Sequence, residues 1–191
     1  MRAFIAIELP PEIKEYLSRI QNKLKTCQAD MKWVKPGNTH LTLKFLGEIN
    51  EEQSEKAASI LKATAENNPS FIIKLASIAA FPGINAPRMI WLGIDQGETE
   101  MRKLVRDLEE KLSGIGMPQE SREFSAHITL ARNRSCRNQQ ALAAGITRLN
   151  DKLKTEEYIF TADKLTFFKS SLTTLGPVYE ALRVFKFRDG S

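Results

Sequence analysis

The chain contains only two histidines, and both stand in the same four-residue frame of His, apolar, Thr, apolar. The frames are His40–Leu43 (HLTL) and His127–Leu130 (HITL), so the two histidines lie 87 positions apart. Such spacing suggests an internal duplication, which a shift of the sequence by 87 positions can test. Ala3–Glu8 then falls on Ile90–Asp95, and both stretches are apolar segments that end in an acidic residue.

The periodicity of apolar residues predicts matching elements in both halves. Each half is expected to run strand, helix, His-x-Thr strand, helix, strand. The predicted fold is therefore α+β, a single bilobal domain over 1–191 with two antiparallel-rich sheets flanked by helices around a central cleft. Its pseudo-repeats are expected at about 1–87 and 88–175, followed by a final strand at 178–187. The predicted helices cover about 10–24, 51–66, 97–112 and 138–153, and further strands cover 71–81 and 164–172.

Composition narrows the class of protein. No apolar run approaches the ~18 residues that a membrane span needs, so we expect no membrane association. The two cysteines, Cys27 and Cys136, show no metal-ligand spacing and suit a reducing compartment, which predicts a cytoplasmic protein. A net charge of +5 favours polyanionic partners such as nucleic acid. The sequence shows no sustained heptad pattern, and a monomer is expected.

Alternation along a strand places each histidine beside the threonine of its frame. His40 and Thr42 would share one face, while Leu41, Leu43 and Phe45 would share the other, which faces the core. Lys44 is an even number of residues from His40 and would therefore lie on the histidine face. The same counting puts Arg132 on the core face with Leu130, where an unpaired guanidinium is costly, so the strand is expected to end or bulge by Asn133.

The paired frames indicate acid–base chemistry. Histidine changes charge near neutral pH without large tuning, so one neutral and one protonated imidazole can take a proton from a nucleophile and give one to a leaving group. Threonine hydroxyls suit the non-bridging oxygens of a phosphorus centre. For either frame taken alone, the simpler interpretation is a half-exposed polar face of a strand without a catalytic role. Two imidazoles are too few ligands for a zinc site, so no metal and no cofactor is expected, and a nucleophilic Ser125 lacks the surrounding GxSxG pattern.

A resemblance to a known family extends over almost the whole chain. It is carried by five stretches: MRAFIAIELP, VKPGNTHLTLKFLGE, PRMIWLGI, FSAHITLAR and LTFFKSSLTTLGPVYEAL. The sequence resembles the two-histidine (2H) phosphoesterases, in particular the LigT/ThpR branch of RNA 2′,3′-cyclic phosphodiesterases, formerly described as 2′–5′ RNA ligases. This resemblance implies hydrolysis of RNA 2′,3′-cyclic phosphate ends, tRNA fragments included, to a 2′-phosphomonoester. It further implies that His40 is the proton donor, that His127 is the proton acceptor, and that Thr42, Thr129 and Arg132 bind phosphate.

Five further residues are candidate RNA contacts: Lys44, Phe45, Arg88, Phe168 and Tyr179. For the charged residues the alternative is a solvated surface position, and for the aromatic residues it is the core. A surface ion pair is the alternative for Arg132. Three other functions use the same residues: 2′–5′ RNA ligation, hydrolysis of a small cyclic nucleotide, and noncatalytic binding of RNA ends.

Overall fold

The computed structural model describes residues 1–153, 156–174 and 176–189, which contain nine strands and four α-helices. In chain order they are β1 (Arg2–Glu8), α1 (Pro11–Lys25), β2 (Met31–Trp33), β3 (His40–Glu48), α2 (Glu51–Asn67), β4 (Phe71–Phe81), β5 (Met89–Gln96), α3 (Glu98–Ser113), β6 (His127–Asn133), α4 (Gln139–Leu153), β7 (Ile159–Ala162), β8 (Lys164–Thr173) and β9 (Gly176–Lys186). None of the helices in these ranges is long and apolar enough to cross a membrane.

The helices begin and end where local sequence chemistry predicts. Prolines 10 and 11 open α1, where a missing N–H breaks no helical hydrogen bond. The helix α2 begins with a reciprocal capping box, in which the Asn50 side chain accepts from the Gln53 amide and the Gln53 side chain accepts from the Asn50 amide. Each helix buries one apolar face, and the four predicted helices are all present within one or two residues of their expected bounds.

The strands form two sheets, in the orders β3-β1-β8-β9 and β2-β6-β5-β4-β7. Every pairing between these strands is antiparallel. Together with the four helices, the two sheets confirm the predicted α+β class. The short strands β2 and β7 were not predicted, since three or four residues carry too little periodicity to be read.

The two sheets interlock. The strand β4, which follows the first His-x-Thr strand in the sequence, pairs with β5 in the five-stranded sheet. The strand β8, from the later part of the chain, pairs with β1 in the four-stranded sheet. Each sheet thus contains two strands from the other half of the sequence, β8 and β9 in one and β2 and β4 in the other, and neither sheet can form from one half alone.

The helices cover one face of each sheet and leave the other face free. The helix α2 packs against β8 and β9, α3 packs against β3 and β5, and α4 packs against β4. A single apolar core fills these contacts. The uncovered faces carry the histidines, and β3 and β6 approach each other to within 8 Å between Cα atoms.

Candidate active site

The two His-x-Thr strands line one cavity of about 250 Å³ between the sheets. Its lining joins residues far apart in sequence: Lys32, Trp33, Val34, Lys35, Asn38, His40, Thr42, Phe45, His127, Thr129, Arg132, Gly176, Pro177 and Tyr179. Both histidines and both threonines of the repeated frame are therefore together, as the alternation of strand side chains predicted.

Both imidazoles are held by the same backbone contact. The Nδ1 of His40 lies 2.8 Å from the carbonyl oxygen of Asn38, and the Nδ1 of His127 lies 2.8 Å from that of Ser125. A carbonyl oxygen can only accept, so each Nδ1 carries a proton and donates it. Each neutral ring then presents the lone pair of Nε2, which can accept a proton, and each charged ring presents an Nε2–H that can donate one.

His40 lies among aromatic rings. Its ring centroid is 4.8 Å from that of Phe4, 5.3 Å from that of Tyr179 and 6.2 Å from that of Phe168. Burial disfavours the charged imidazole and lowers the pKa of His40 from 6.5 to about 4, with Lys14 adding a smaller repulsion and the Asn38 carbonyl opposing both. His40 is therefore neutral in the free protein at neutral pH.

His127 has a different neighbourhood. Its ring lies 5.7 Å from Trp91, and the hydroxyl of Thr129 lies 3.9 Å from the sulfur of Met89. The Nδ1–H of His127 donates to the carbonyl oxygen of Ser125, and its partner is not the Ser125 hydroxyl. A nucleophilic Ser125 would need its hydroxyl next to a histidine nitrogen, and this structure shows no such contact.

A β-bulge interrupts β3 directly after the His-x-Thr unit. Thr42 pairs with Ala6 and Lys44 pairs with Ile5, so Leu43 is the extra residue. An equivalent bulge in β6 makes Leu130 the extra residue, because Thr129 pairs with Trp91 and Ala131 pairs with Ile90. Beyond each bulge, the alternation of side chains is reversed.

The bulge in β6 brings Arg132 to the cavity. This bulge lies before Asn133, by which a bulge or the end of the strand was expected. It turns the Arg132 guanidinium from the core face to the cleft. Within the part of the chain that the structure describes, Arg132 has no carboxylate partner, and the alternative of a surface ion pair is not what the structure shows.

The bulge in β3 corrects two expectations based on simple alternation. Phe45, expected on the core face, lines the cavity and is 66% exposed. Lys44, expected on the histidine face as an RNA contact, is only 5% exposed. Its ammonium donates to the carboxylate of Glu109 at 2.7 Å and to the carbonyl of Pro118 at 2.9 Å, so it is not available to RNA.

The other candidate RNA contacts lie at different distances from the cavity. Tyr179 lines it, and burial raises the pKa of its phenol, with Arg132 and Arg2 acting in the opposite direction. Phe168 does not line the cavity. Its ring stacks on Phe4 at 5.0 Å, behind His40. Arg88 is exposed just before β5, outside the cavity lining.

Sequence reasoning missed the two cations on either side of Trp33, Lys32 and Lys35, in the segment that precedes His40. Lys32, Trp33 and Lys35 all line the cavity, and Lys25 lies 5.9 Å from the Trp33 ring. The alternation of cations with an aromatic ring in MKWVKPGNTH was the available signal. Among the described residues, the cavity lining includes three cationic side chains and no carboxylate, which makes the site attractive to an anion.

The described residues contain no cluster of three or more His, Cys, Asp or Glu side chains that could hold a metal ion. Both cysteines are free thiols, and neither lines the cavity.

Two interlocked sheets that each present one His-x-Thr strand to a shared, positively charged cavity define a two-histidine phosphoesterase. The chain belongs to the LigT-like phosphoesterase family, whose model matches it twice, over residues 7–91 and 92–179.

Named relatives cover nearly the whole chain. An RNA 2′,3′-cyclic phosphodiesterase of Methanocaldococcus jannaschii is 35% identical over 96% of this chain and 99% of its own length. One from Methanothermobacter thermautotrophicus is 31% identical, over 97% of this chain and 98% of its own. Among solved structures, a Thermus thermophilus protein aligns over all of both chains, at 100% coverage of each, with a TM-score of 0.79 and 25% identity. Escherichia coli LigT complexed with 3′-AMP aligns over 97% of each chain, with a TM-score of 0.76 and 25% identity.

Proposed function

We propose that this protein hydrolyses RNA 2′,3′-cyclic phosphate ends to 2′-phosphomonoesters, with one histidine as acid and the other as base. One observation carries the proposal: two imidazoles, each held through Nδ1 by the carbonyl two residues earlier, face one cavity that also holds two hydroxyls and a guanidinium with no ion pair among the described residues. The relatives named as RNA 2′,3′-cyclic phosphodiesterases support the choice of substrate.

The reaction requires one proton to be removed and one to be delivered. Neutral His127 accepts a proton at Nε2 from a water molecule as its oxygen attacks phosphorus. The bond between phosphorus and the 3′ oxygen breaks, and the Nε2–H of protonated His40 donates to that oxygen. The products are a 3′ hydroxyl and a 2′-phosphomonoester, and proton exchange with solvent restores both rings. Transfers of this kind contribute ~10²–10⁴-fold each.

Three side chains are assigned to the phosphate group. The hydroxyls of Thr42 and Thr129 share the cavity with the two imidazoles, one on each strand. Arg132 adds a charge that needs no proton exchange and can form a bidentate contact with the non-bridging oxygens. Negative charge that develops on these oxygens in the transition state is stabilised by such fixed donors.

The two sides of the cavity suit different parts of an RNA end. Around His40 lie the rings of Phe45 and Tyr179, which provide a stacking surface for a base. Around His127 lies Arg132, with Lys32 paired beside it in the sheet, and these cations suit backbone phosphates. We assign the terminal nucleoside to the aromatic side and the preceding phosphates to the basic side. RNA fragments in the cytoplasm, tRNA fragments among them, fit this arrangement.

A donor with a pKa of about 4 requires a further step. His40 is neutral in the free protein at neutral pH, whereas the donor must be charged. A phosphate anion in the cavity favours the imidazolium and opposes the effect of burial. We therefore propose that substrate binding brings a proton to His40, so that the acid is generated only when a phosphate is present.

The test is the identity of the product. A short RNA ending in a 2′,3′-cyclic phosphate is incubated with the protein in excess EDTA, and phosphorus NMR distinguishes the cyclic, 2′- and 3′-phosphates. Conversion to the 2′-phosphate is expected with the wild-type protein and not with His40→Ala or His127→Ala. A 3′-phosphate product would contradict the assignment of the leaving oxygen. Binding without turnover would indicate an RNA-end binding module, and faster turnover of uridine 2′,3′-cyclic phosphate than of the RNA would indicate a small-nucleotide enzyme.

A further inference from the structure

The bulges that shape the cavity are each held by a buried polar contact that the reaction itself does not use. On the β6 side the contact comes from Gln21 in α1, which is 1% exposed. Its Nε2 donates to the carbonyl of Leu130 at 3.0 Å and to the carbonyl of Val34 at 2.8 Å. Leu130 is the extra residue of the bulge, and Arg132 follows it by two positions.

On the β3 side the contact comes from Lys44, which directly follows the extra residue of that bulge. Its ammonium joins the carboxylate of Glu109 in α3 and the carbonyl of Pro118. The same carboxylate also accepts from the backbone amide of Glu120 at 3.3 Å. The side chains of Lys44 and Glu109 are 3% and 18% exposed, so water screens this pair weakly.

The two contacts lie within one residue of equivalent places in the duplicated fold. A shift of 87 positions carries Gln21 onto Leu108, the neighbour of Glu109, and it carries Lys44 onto Ala131, the neighbour of Leu130. Each contact therefore joins a helix of one half to the His-x-Thr strand of the other half. The fold uses a neutral amide on one side and an ion pair on the other for the same task.

Each contact also links the strand of one histidine to the segment that leads into the other. Val34 lies in the segment that enters β3 and His40, while Leu130 belongs to the strand of His127. Pro118 lies in the segment that enters β6 and His127, while Lys44 belongs to the strand of His40. Displacing either contact would change the separation of the two imidazoles as well as the direction of one bulge.

We propose that Gln21 and the Lys44–Glu109 pair are positioning residues for the phosphoryl chemistry. They fix the distance between the two His-x-Thr strands and hold the bulges that direct Arg132 and Phe45 into the cavity. The proposal rests on the proposed function for its kinetic test, but its effect on phosphate binding can be measured without turnover. A misplacement of about 1 Å at a reacting centre lowers a rate by ~10²-fold.

The experiment is a double-mutant cycle between Gln21 and Arg132. Gln21→Met keeps the length of the side chain and removes both donated hydrogen bonds. We expect it to lower kcat by ~10–100-fold and to weaken binding of inorganic phosphate, measured by titration calorimetry. In an Arg132→Met background, Gln21→Met should weaken phosphate binding no further, because the group that it positions is already absent.

A matched control separates positioning from loss of stability. Asn150 in α4 also exchanges hydrogen bonds with strand backbone, donating to the Ile78 carbonyl and accepting from the Ile78 amide at 2.8 Å each. Its strand, β4, carries no histidine. Asn150→Leu should lower the melting temperature, as Gln21→Met does, while kcat and phosphate affinity stay within about twofold of the wild type.

Three outcomes would overturn the proposal. Phosphate binding could weaken by the same factor with and without Arg132, kcat could stay unchanged in Gln21→Met, or Asn150→Leu could lower kcat equally. If Gln21→Met does not fold, Lys44→Met/Glu109→Met removes the other contact without leaving a lone buried charge and is expected to lower kcat similarly. A wild-type protein that binds phosphate but hydrolyses no RNA would reject the proposed function, while the phosphate cycle would still test the positioning residues.

Discussion

Binding of a phosphate anion should be linked to proton uptake at His40. With a pKa of about 4, this imidazole is protonated in roughly 1% of free molecules at pH 6. Charging it there costs about 2.7 kcal/mol, which is two pH units at 1.36 kcal/mol each. If His40 is fully charged in the complex, the affinity for the anion should rise about tenfold for each pH unit lowered between pH 6.5 and 4.5.

The assay is titration calorimetry with the His127→Ala variant, which binds substrate without turnover. A uridine trinucleotide with a 2′,3′-cyclic phosphate is suitable, since neither its bases nor its diester phosphates titrate in this range. Repeating each titration in buffers with different ionisation enthalpies gives the number of protons taken up, expected to be close to one at pH 5.5. The control is His40→Ala in the same background, for which the affinity should be independent of pH. Equal affinities at pH 6.5 and 4.5 without proton uptake would refute His40 as the proton donor.

Three other predictions concern the effect of His40 on stability and the contributions of Arg132 and Phe45 to substrate binding and turnover. Between pH 6.5 and 4 the unfolded chain binds more protons at His40 than the folded protein does. The free energy of unfolding should therefore decrease by about 2 kcal/mol as the pH is lowered from 7 to 5. Urea denaturation should show that His40→Asn has a flatter pH dependence than the wild type, and an unchanged profile would contradict the cause given for the lowered pKa. Arg132→Met should lower kcat/KM by ~10²-fold, with partial recovery in Arg132→Lys; a loss below threefold in steady-state assays would exclude a phosphate contact. Phe45→Ala should raise KM for the RNA by about tenfold, near the lower end of the energy of a stacked base, whereas Val184→Ala, an exposed apolar control, should not. A lowered kcat with unchanged KM would argue against stacking at Phe45.

The repeated frame was sufficient to predict which strands face the cavity. An alternating His-x-Thr with apolar neighbours leaves only one face for the imidazoles, and the structure brings both faces together. The helices were equally predictable, because their apolar periodicity continues over four turns and strong terminal signals bound them, such as the Asn50 capping box.

Alternation failed directly after each threonine. A bulge is one extra residue in one strand, and its presence depends on the partner strand and on buried contacts from elsewhere, such as that of Gln21 with the Leu130 carbonyl. The sequence contained one weak indication of a bulge. In the stretch 43–46, LKFL, apolar residues stand at both odd and even positions, which strict alternation does not allow. The sequence also did not predict that β4 pairs with β5 and β8 with β1, because strand partners are set by long-range packing.

The histidine roles can be tested most directly with a substrate whose leaving group needs no acid. In an RNA cyclic phosphate with sulfur in place of the 3′ bridging oxygen, the departing thiolate is stable without protonation. We predict that His40→Ala recovers most of its lost rate on this substrate, while His127→Ala remains as impaired as on the oxygen substrate. Recovery in His127→Ala instead of His40→Ala would contradict the assignment of donor and acceptor.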